Sequence, residues 1–419
     1  MDFAAVWHHN GAFDLGSNCM FYGWRVVAGA FVGMLLANGL FTYGFTILVN
    51  PIRQEFGASM EQVMYSLTLG TFLGLVVAPV VGMLIDKYSV RYLMTLGCLF
   101  TALGLYAVSR VQTIGAFSLL TGITMSLSMA MVSSMPGSAA VSRWFTANRG
   151  KALGIASMGT SLGGVIVPVL LAWWVEAYGW RAALQNLSFV AAFVVLPFVW
   201  FTVRSRPRDV GMLAEGMSAQ PLDPGVAPAP ARGMGVIVRM RAVWLIGLSM
   251  GCVFAAFSSM LANLAPYAAR LGNEESAISM MIAVLSIGGL IGKLVFGTAA
   301  DRLNLKIGLW SAHALLLIAF VILLAEPAYP WLLLASLCFG LSTGGLLPVW
   351  NAMVVRVFSV DSFGRAMGAM GPIITLSIMP AFAIVGRLFD ATGSYSTGLL
   401  VFGAVILLAS ALLVPLRID

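Results

Sequence analysis

Runs of roughly twenty apolar residues recur along this chain, and no other property narrows its folding options as much. A helix crossing a hydrocarbon layer needs about 20 largely apolar residues at a rise of about 1.5 Å each. Twelve such stretches lie in the 419 residues, near 25–49, 63–85, 92–110, 115–141, 152–177, 182–203, 242–268, 277–300, 307–325, 330–355, 366–389 and 396–416. Membrane β-strands are about ten residues long and alternate in polarity; these runs are longer and evenly apolar, so they read as helices. Only 9% of the residues are charged and 60% are hydrophobic, whereas soluble domains carry about 25% charge. That excludes an ordinary soluble enzyme, a nucleic-acid binder and a disordered scaffold. The expected fold is an all-α integral membrane protein with twelve transmembrane helices.

Residues 1–20 contain Asp2, Asp14, His8 and His9 and lack a basic stretch followed by an apolar core, so no cleavable signal is expected. Basic residues cluster on one side of the bundle, among them Arg25, Lys87, Arg91, Arg143, Arg149, Lys151, Arg204, Arg206, Arg302, Lys306, Arg356 and Arg365. Arg53, Arg110, Arg181, Arg270 and Arg387 fall on the other side. The bias places both termini in the cytoplasm, so the net charge of +7 reads mostly as orientation charge. A bacterial inner (plasma) membrane fits the short tails and loops. Cys19, Cys98, Cys252, Cys338 and three His show no zinc or disulfide spacing, and neither metal nor cofactor is expected.

The one long polar interruption, 204–241, includes the proline-rich PLDPGVAPAP at 221–230 and reads as a cytoplasmic linker. It separates a first half, 1–203, from a second, 242–419, each with six spans. The halves repeat. Gly82, Asp86 and Arg91 match Gly297, Asp301 and Lys306 at an offset of 215, and Lys151-Ala152-Leu153-Gly154 matches Arg365-Ala366-Met367-Gly368 at 214. Pseudo-symmetric halves of this kind are the pattern of transporters built from repeats.

Each repeated Asp sits at the cytoplasmic end of a helix, where its carboxylate can meet the positive N-terminus of a neighbour. Helices beginning near Lys151 and Arg365 are the candidates. Asp86, Arg91, Asp301, Arg302, Arg149 and Arg365 are therefore expected in a cytoplasmic gate across the seam between halves. The plainer alternative is a solvated turn that only sets orientation.

At these residues the chain resembles the major facilitator superfamily, whose loop between spans two and three carries a G-x-x-x-D-[RK]-x-x-x-[RK] pattern, here Gly82, Asp86, Lys87 and Arg91. Within it, YGWRVVAGAF (22–31), FTYGFTILVNPIRQEFG (41–57), RWFTANRGKALGIASMG (143–159) and YGWR (178–181) are similar to the monocarboxylate porters and their oxalate/formate-type relatives. The resemblance implies movement of small organic anions, often with a proton.

An ionisable group at membrane depth costs about 2.5–3.5 kcal/mol on insertion scales and marks function by default. Every acidic residue can be placed in a loop, tail or helix end, whereas Lys293 lies eight residues before Asp301, or about 12 Å inside the helix end. The symmetry mate of Lys293, at 78, is an alanine. The resembling porters carry a substrate-binding Arg at this place in span eight, so the resemblance makes Lys293 a candidate for the carboxylate-binding cation. A lysine snorkelling to the interface is the alternative. Gly289 stands where the family often has an Asp, Ile47 where many members have a Lys, and 366–386 holds no cation. One buried cation favours a monoanion.

In the resembling family, spans one, four, seven and ten line the cavity. Asn38, Tyr43, Ser133, Ser134, Asn263, Tyr267, Trp350 and Asn351 are the polar and aromatic candidates there, with helix packing as each one's alternative role. His313 and Lys293 itself are the candidate proton carriers. No nucleophile–base set is present, so an enzyme is not expected. The expected function is secondary active transport of a small organic monocarboxylate-type anion, by alternating access with a co-transported proton, in a protein that works as a monomer. Two alternatives stay open: efflux of an amphipathic drug or metabolite, and a membrane receptor that transports nothing.

Overall fold

The computed structural model describes residues 21–216 and 232–416. The proline-rich stretch 221–230 and the first twenty residues lie outside the described residues. Ten helices among the described residues are long and apolar enough to cross a membrane. They begin with α1 Gly23–Phe56, α2 Met60–Lys87, α3 Val90–Val108 and α4 Ile114–Trp144. The next, Arg149–Thr202, is broken at Gly179 (φ 81°, ψ 163°), which separates α5 (149–178) from α6 (180–202). A backbone in that region favours glycine. After a short helix, Met234–Arg239, come α7 Arg241–Arg270, α8 Ser276–Ala300, α9 Leu305–Leu324, α10 Tyr329–Phe358 and α11 Phe363–Thr392. A shorter apolar helix of 17 residues, α12 Ser396–Leu412, ends the bundle. Each of the twelve apolar stretches marked in the sequence falls on one of these helices.

Local sequence explains the ends and bends. Ser59 and Gln62 form a capping box at the start of α2, satisfying two otherwise unpaired donors. Gly57 and Gly393 adopt left-handed conformations just past α1 and α11. Within α1, Gly39–Gly44 widens to a π-helical turn, and the helix runs on through Pro51 to Phe56, beyond the stretch expected from apolarity. Inside α4, Ser133 leaves helical geometry (φ −81°, ψ −145°) and bends the helix.

The packing repeats between the two sets of helices. Helix α1 packs on α5 and α2 on α4, while α7 packs on α11 and α8 on α10. The contacts α2·α11 and α5·α8 join α1–α6 to α7–α12. Asp86 lies on the first of these seams, and Asp301 and Lys293 lie on the second.

Candidate functional site

The first turn of a helix presents backbone N–H groups without intrahelical partners. Asp86, at the end of α2, accepts Gly364 N–H on Oδ1 (2.8 Å) and Arg365 N–H on Oδ2 (2.9 Å), both from the first turn of α11. Its side chain is 0% exposed, and Arg365 Nε stands 3.9 Å from Oδ2. Asp301 repeats the arrangement one seam over: Gly150 N–H donates to Oδ1, and Lys151 N–H donates to Oδ2 at 2.9 Å, from the first turn of α5. Burial pushes the Asp301 carboxyl above its ordinary range, and the two amides pull the other way.

Glycine makes the approach possible. A Cβ on Gly82 would overlap the Gly364 carbonyl, and one on Gly150 would overlap the Gly297 carbonyl. Higher on the second seam, a Cβ on Gly154 would overlap the Lys293 carbonyl. On the first seam Gly368, the symmetry mate of Gly154, faces the Ala78 carbonyl, where a Cβ would come within 3.0 Å.

Other cross-set contacts lie at the same end. Asn351 Nδ2 donates to Ser138 Oγ (2.8 Å), and Arg206 Nη2 stands 3.6 Å from Asp361 Oδ1. Arg143, buried beside them, donates from Nη2 to the Ile85 carbonyl (2.8 Å) on the turn that carries Asp86. Arg91 turns instead to its own set: Nε donates to the Trp200 carbonyl (2.9 Å), and the guanidinium lies 3.7 Å over the Trp200 ring. Its symmetry mate Lys306 donates to the Val414 carbonyl (3.1 Å). Arg302 is exposed, and Arg149 Nε caps the Phe145 carbonyl (2.9 Å). The structure thus brings Asp86, Asp301 and Arg365 onto the seam, with Arg149 beside Asp301. It turns Arg91 into its own set and leaves Arg302 exposed beside Asp301.

Both described ends of the linker reach this region. Glu215 accepts the Asn148 backbone N–H (3.1 Å) and its side-chain amide, and bridges to Phe145 just before α5. Arg232 donates its backbone N–H to Ser362 Oγ (3.0 Å), and its carbonyl accepts from Arg365 Nη1 (3.2 Å), just before and within α11. At the opposite end of the bundle the polar contacts among the described residues stay within one set. Glu55 pairs with Arg181 (2.7 Å) in α1–α6, and Tyr329 Oη donates to the Ala277 carbonyl (3.1 Å) in α7–α12.

Lys293 is 6% exposed and forms no ion pair among the described residues. Its ammonium crosses the α5·α8 seam to donate to Thr160 Oγ1 (2.6 Å) and to Ser161 Oγ. An ammonium has three donors, so one more is available. Thr160 spends its own proton on the Ser157 carbonyl (2.9 Å). A Cβ on Gly289 would find only the Gly340 carbonyl and Ser161 Oγ, both at 3.8 Å, so space is left beside the cation.

The remaining candidates divide. Tyr43 is 43% exposed on the π-helical turn of α1, its ring against Gly164 of α5. Asn38 is tied to Ser133 Oγ (2.7 Å) and the Met34 carbonyl (3.0 Å). Asn263 donates to the Ser259 carbonyl of its own helix (2.8 Å). Tyr267 is buried, its hydroxyl on the Leu323 carbonyl of α9, and Asn351 is spent on Ser138. Trp350 is buried edge-on to Phe254 (6.1 Å), with its indole N–H unpartnered. None of these six makes a hydrogen bond to Lys293 among the described residues. His313 is buried in α9 with Nδ1 on Ser410 Oγ of α12 (2.9 Å), away from both seams.

Thr160 and Ser161 escaped the sequence reading, although a signal existed. Once Asp301 meets Gly150, α5 and α8 run antiparallel from a fixed point. Lys293, about 12 Å up α8, then faces the second turn of α5, and its side chain reaches the next turn.

The chain matches the family model described as Major Facilitator Superfamily over residues 29–274 and 248–418. It is 24% identical to monocarboxylate transporter 11 of Mus musculus, over 93% of this chain and 86% of that one. With the fujikurins efflux protein of Gibberella fujikuroi it shares 25% identity, over 99% of this chain and 85% of the relative. Its fold matches the proton:xylose symporter XylE (TM-score 0.72, 13% identity, 94% of this chain and 95% of that one). It also matches the human organic anion transporter MFSD10 (TM-score 0.70, 16% identity, 93% and 99%).

Proposed function

The chain belongs to the Major Facilitator Superfamily of membrane transporters, and from that premise we propose that it carries a small organic monocarboxylate anion, with a co-transported proton, by alternating access. The observation that carries the proposal is Lys293, a buried ammonium that has hydroxyl partners but no carboxylate partner among the described residues. A membrane-buried charge without a counter-ion is costly, and an incoming carboxylate supplies one. With no second cation beside it, the site favours a single negative charge. The relative named a monocarboxylate transporter supports the same class.

In this account α1–α6 (within 1–203) and α7–α12 (within 242–419) are the two rocking halves, and 204–241 joins them at the cytoplasmic face of a bacterial inner membrane. Asp86 and Asp301, each on two helix-terminal amides, hold that face shut. Substrate reaches Lys293 from the opposite end, where no polar contact among the described residues crosses between halves. Tyr43, exposed beside α5, is on that route. The protein works as a monomer.

A panel of labelled lactate, pyruvate, formate, oxalate and an aromatic-derived acid, taken up by proteoliposomes acidified outside, tests the proposal. Saturable, gradient-stimulated uptake of a monoanion, lost in Lys293→Ala, is the expected result. Undiminished uptake in that variant would remove Lys293 from the site. Efflux is the second reading, favoured by the relative named an efflux protein. Under it no acid accumulates, and an amphipathic dye is extruded equally well with and without Lys293.

A further inference from the structure

Two seams of the same design carry different chemistry at the same height. On the α2·α11 seam, Ala78 stands at the symmetry position of Lys293, and Gly368 and Gly371 pack against it, a Cβ on Gly371 meeting Ala78 Cβ at 3.5 Å. On the α5·α8 seam the same level holds Lys293, Thr160 and Ser161. On the mirrored seam Ala78 replaces Lys293 and Ile374 replaces Thr160, while Thr375 keeps a hydroxyl at the position of Ser161, so the fold needs neither the ammonium nor the Thr160 hydroxyl at that height. The asymmetry belongs to function.

The hydroxyl pair lies on α5 and the ammonium on α8, so their hydrogen bonds join one set of helices to the other. Hydrogen bonds to a charged group are among the stronger ones in proteins. Opening the bundle at the Asp86/Asp301 end separates α5 from α8, and the ammonium must then give up Thr160 and Ser161. Without substrate it would exchange both for water, with no counter-ion at membrane depth. A bound carboxylate changes this, because it travels with the ammonium and replaces both hydroxyl oxygens.

We propose that Thr160 and Ser161 stand in for the substrate carboxylate in the empty carrier, so that they hold the α5·α8 seam closed until an anion takes their place on Lys293. They are positioning residues that act through the cation. Ser161 has a further part. Its Oγ accepts from Lys293 and makes no donated hydrogen bond among the described residues, whereas the Thr160 proton is committed to Ser157. Ser161 also faces the space beside Gly289. Its O–H is thus free to donate to the second carboxylate oxygen as the first engages Lys293. The inference rests on the anion-carrier reading for its ligand but not for its empty-state contact, which allows the two to be tested apart.

The test uses the full-length protein in nanodiscs, with the four cysteines replaced by serine and spin labels at Tyr88 and Leu303. Both positions are exposed, at the Asp86/Asp301 end of opposite sets. Without any acid present, the wild type is expected to show mostly the short distance. Thr160→Val with Ser161→Ala should raise the long-distance population relative to the short one by about tenfold or more, as loss of hydrogen bonds to a charge requires. Lys293→Met should do the same, and adding it to the double variant should change nothing further. Thr160→Ser with Ser161→Thr keeps both hydroxyls and should restore the wild-type distribution. An empty double variant indistinguishable from wild type overturns the proposal. So does a hydroxyl-preserving swap that behaves like the double variant, because packing would then be the cause. Adding lactate or pyruvate should move the wild type toward the double variant. If the empty-state result holds and no acid moves the wild type, the latch stands and the monocarboxylate reading fails.

Discussion

At Lys293 one ammonium with three donors meets two hydroxyl oxygens across a helix seam, and open space remains at Gly289 one turn away. That space yields a direct prediction. An aspartate at 289 would lie at i, i+4 from Lys293, on the same helix face, where opposite charges attract. Gly289→Asp should therefore fold, pair with the lysine and weaken anion binding at least tenfold, read as the shift in half-saturation for uptake. Unchanged half-saturation would mean that the anion does not use Lys293. His313 gives the opposite expectation: its ring is enclosed by α9 and α12 and bonded to Ser410. His313→Gln should leave stimulation by a proton gradient intact in the uptake assay, and loss of stimulation with folding preserved would place a proton path through α9. Lys293 was legible in the sequence because it alone carries charge in the middle of an apolar run. Thr160 and Ser161 were not, because hydroxyls are common in membrane helices and usually satisfy themselves on the preceding turn, as Thr71 and Ser286 do. Only the register between two helices singles them out. The same holds for Tyr267 and Asn351, which any cavity-facing pattern would include and which the structure spends on Leu323 and Ser138.

At the scale of elements, the seams depend on carboxylates that meet helix ends and on glycines that let backbones touch. Asp86→Ala would strip the acceptors from two buried first-turn amides, Gly364 and Arg365. Leaving a buried donor unsatisfied costs about 1–3 kcal/mol. The closed seam should lose that amount relative to an opened one, where water can reach the amides. A cysteine in the first half of α11, such as Ile374→Cys, buried in the closed form, should then label about ten times faster. A labelling rate equal to that of the parent would argue that the carboxylate is ornamental. Gly150→Leu attacks the other seam sterically, since even a Cβ there overlaps the Gly297 carbonyl; the same labelling assay should show opening with the carboxylates intact. The paired carboxylates were visible beforehand as a motif repeated at one offset. The π-helical turn at Gly39–Gly44 and the bend at Ser133 were not, because both arise from how α1 and α4 fit against neighbours.

At the largest scale, polar contacts between the two sets gather at one end and at Lys293, while at the other end those among the described residues stay within a set. The Asp86/Asp301 end is therefore closed, and each described linker end packs there on its own set, Glu215 on Asn148 and Arg232 on Ser362 and Arg365. Glu215→Ala should loosen the start of α5, lowering the melting temperature of the purified protein by a few degrees, as loss of about 1 kcal/mol of helix capping does. Unchanged melting would confine the linker to joining the halves. The arrangement of spans was readable from apolar runs alone, since a bilayer sets their length. Which end is shut was not, because alternating states share one sequence.

Binding of a single carboxylate by a single buried ammonium is tested most directly by equilibrium binding. The acid best transported in the uptake panel would be measured in labelled form against purified wild type and Lys293→Met, with each protein's helicity checked by circular dichroism. Saturable binding to wild type at one site per chain, weakened at least a hundredfold in the variant while helicity is unchanged, is the predicted result. Equal affinity in the two proteins would contradict it.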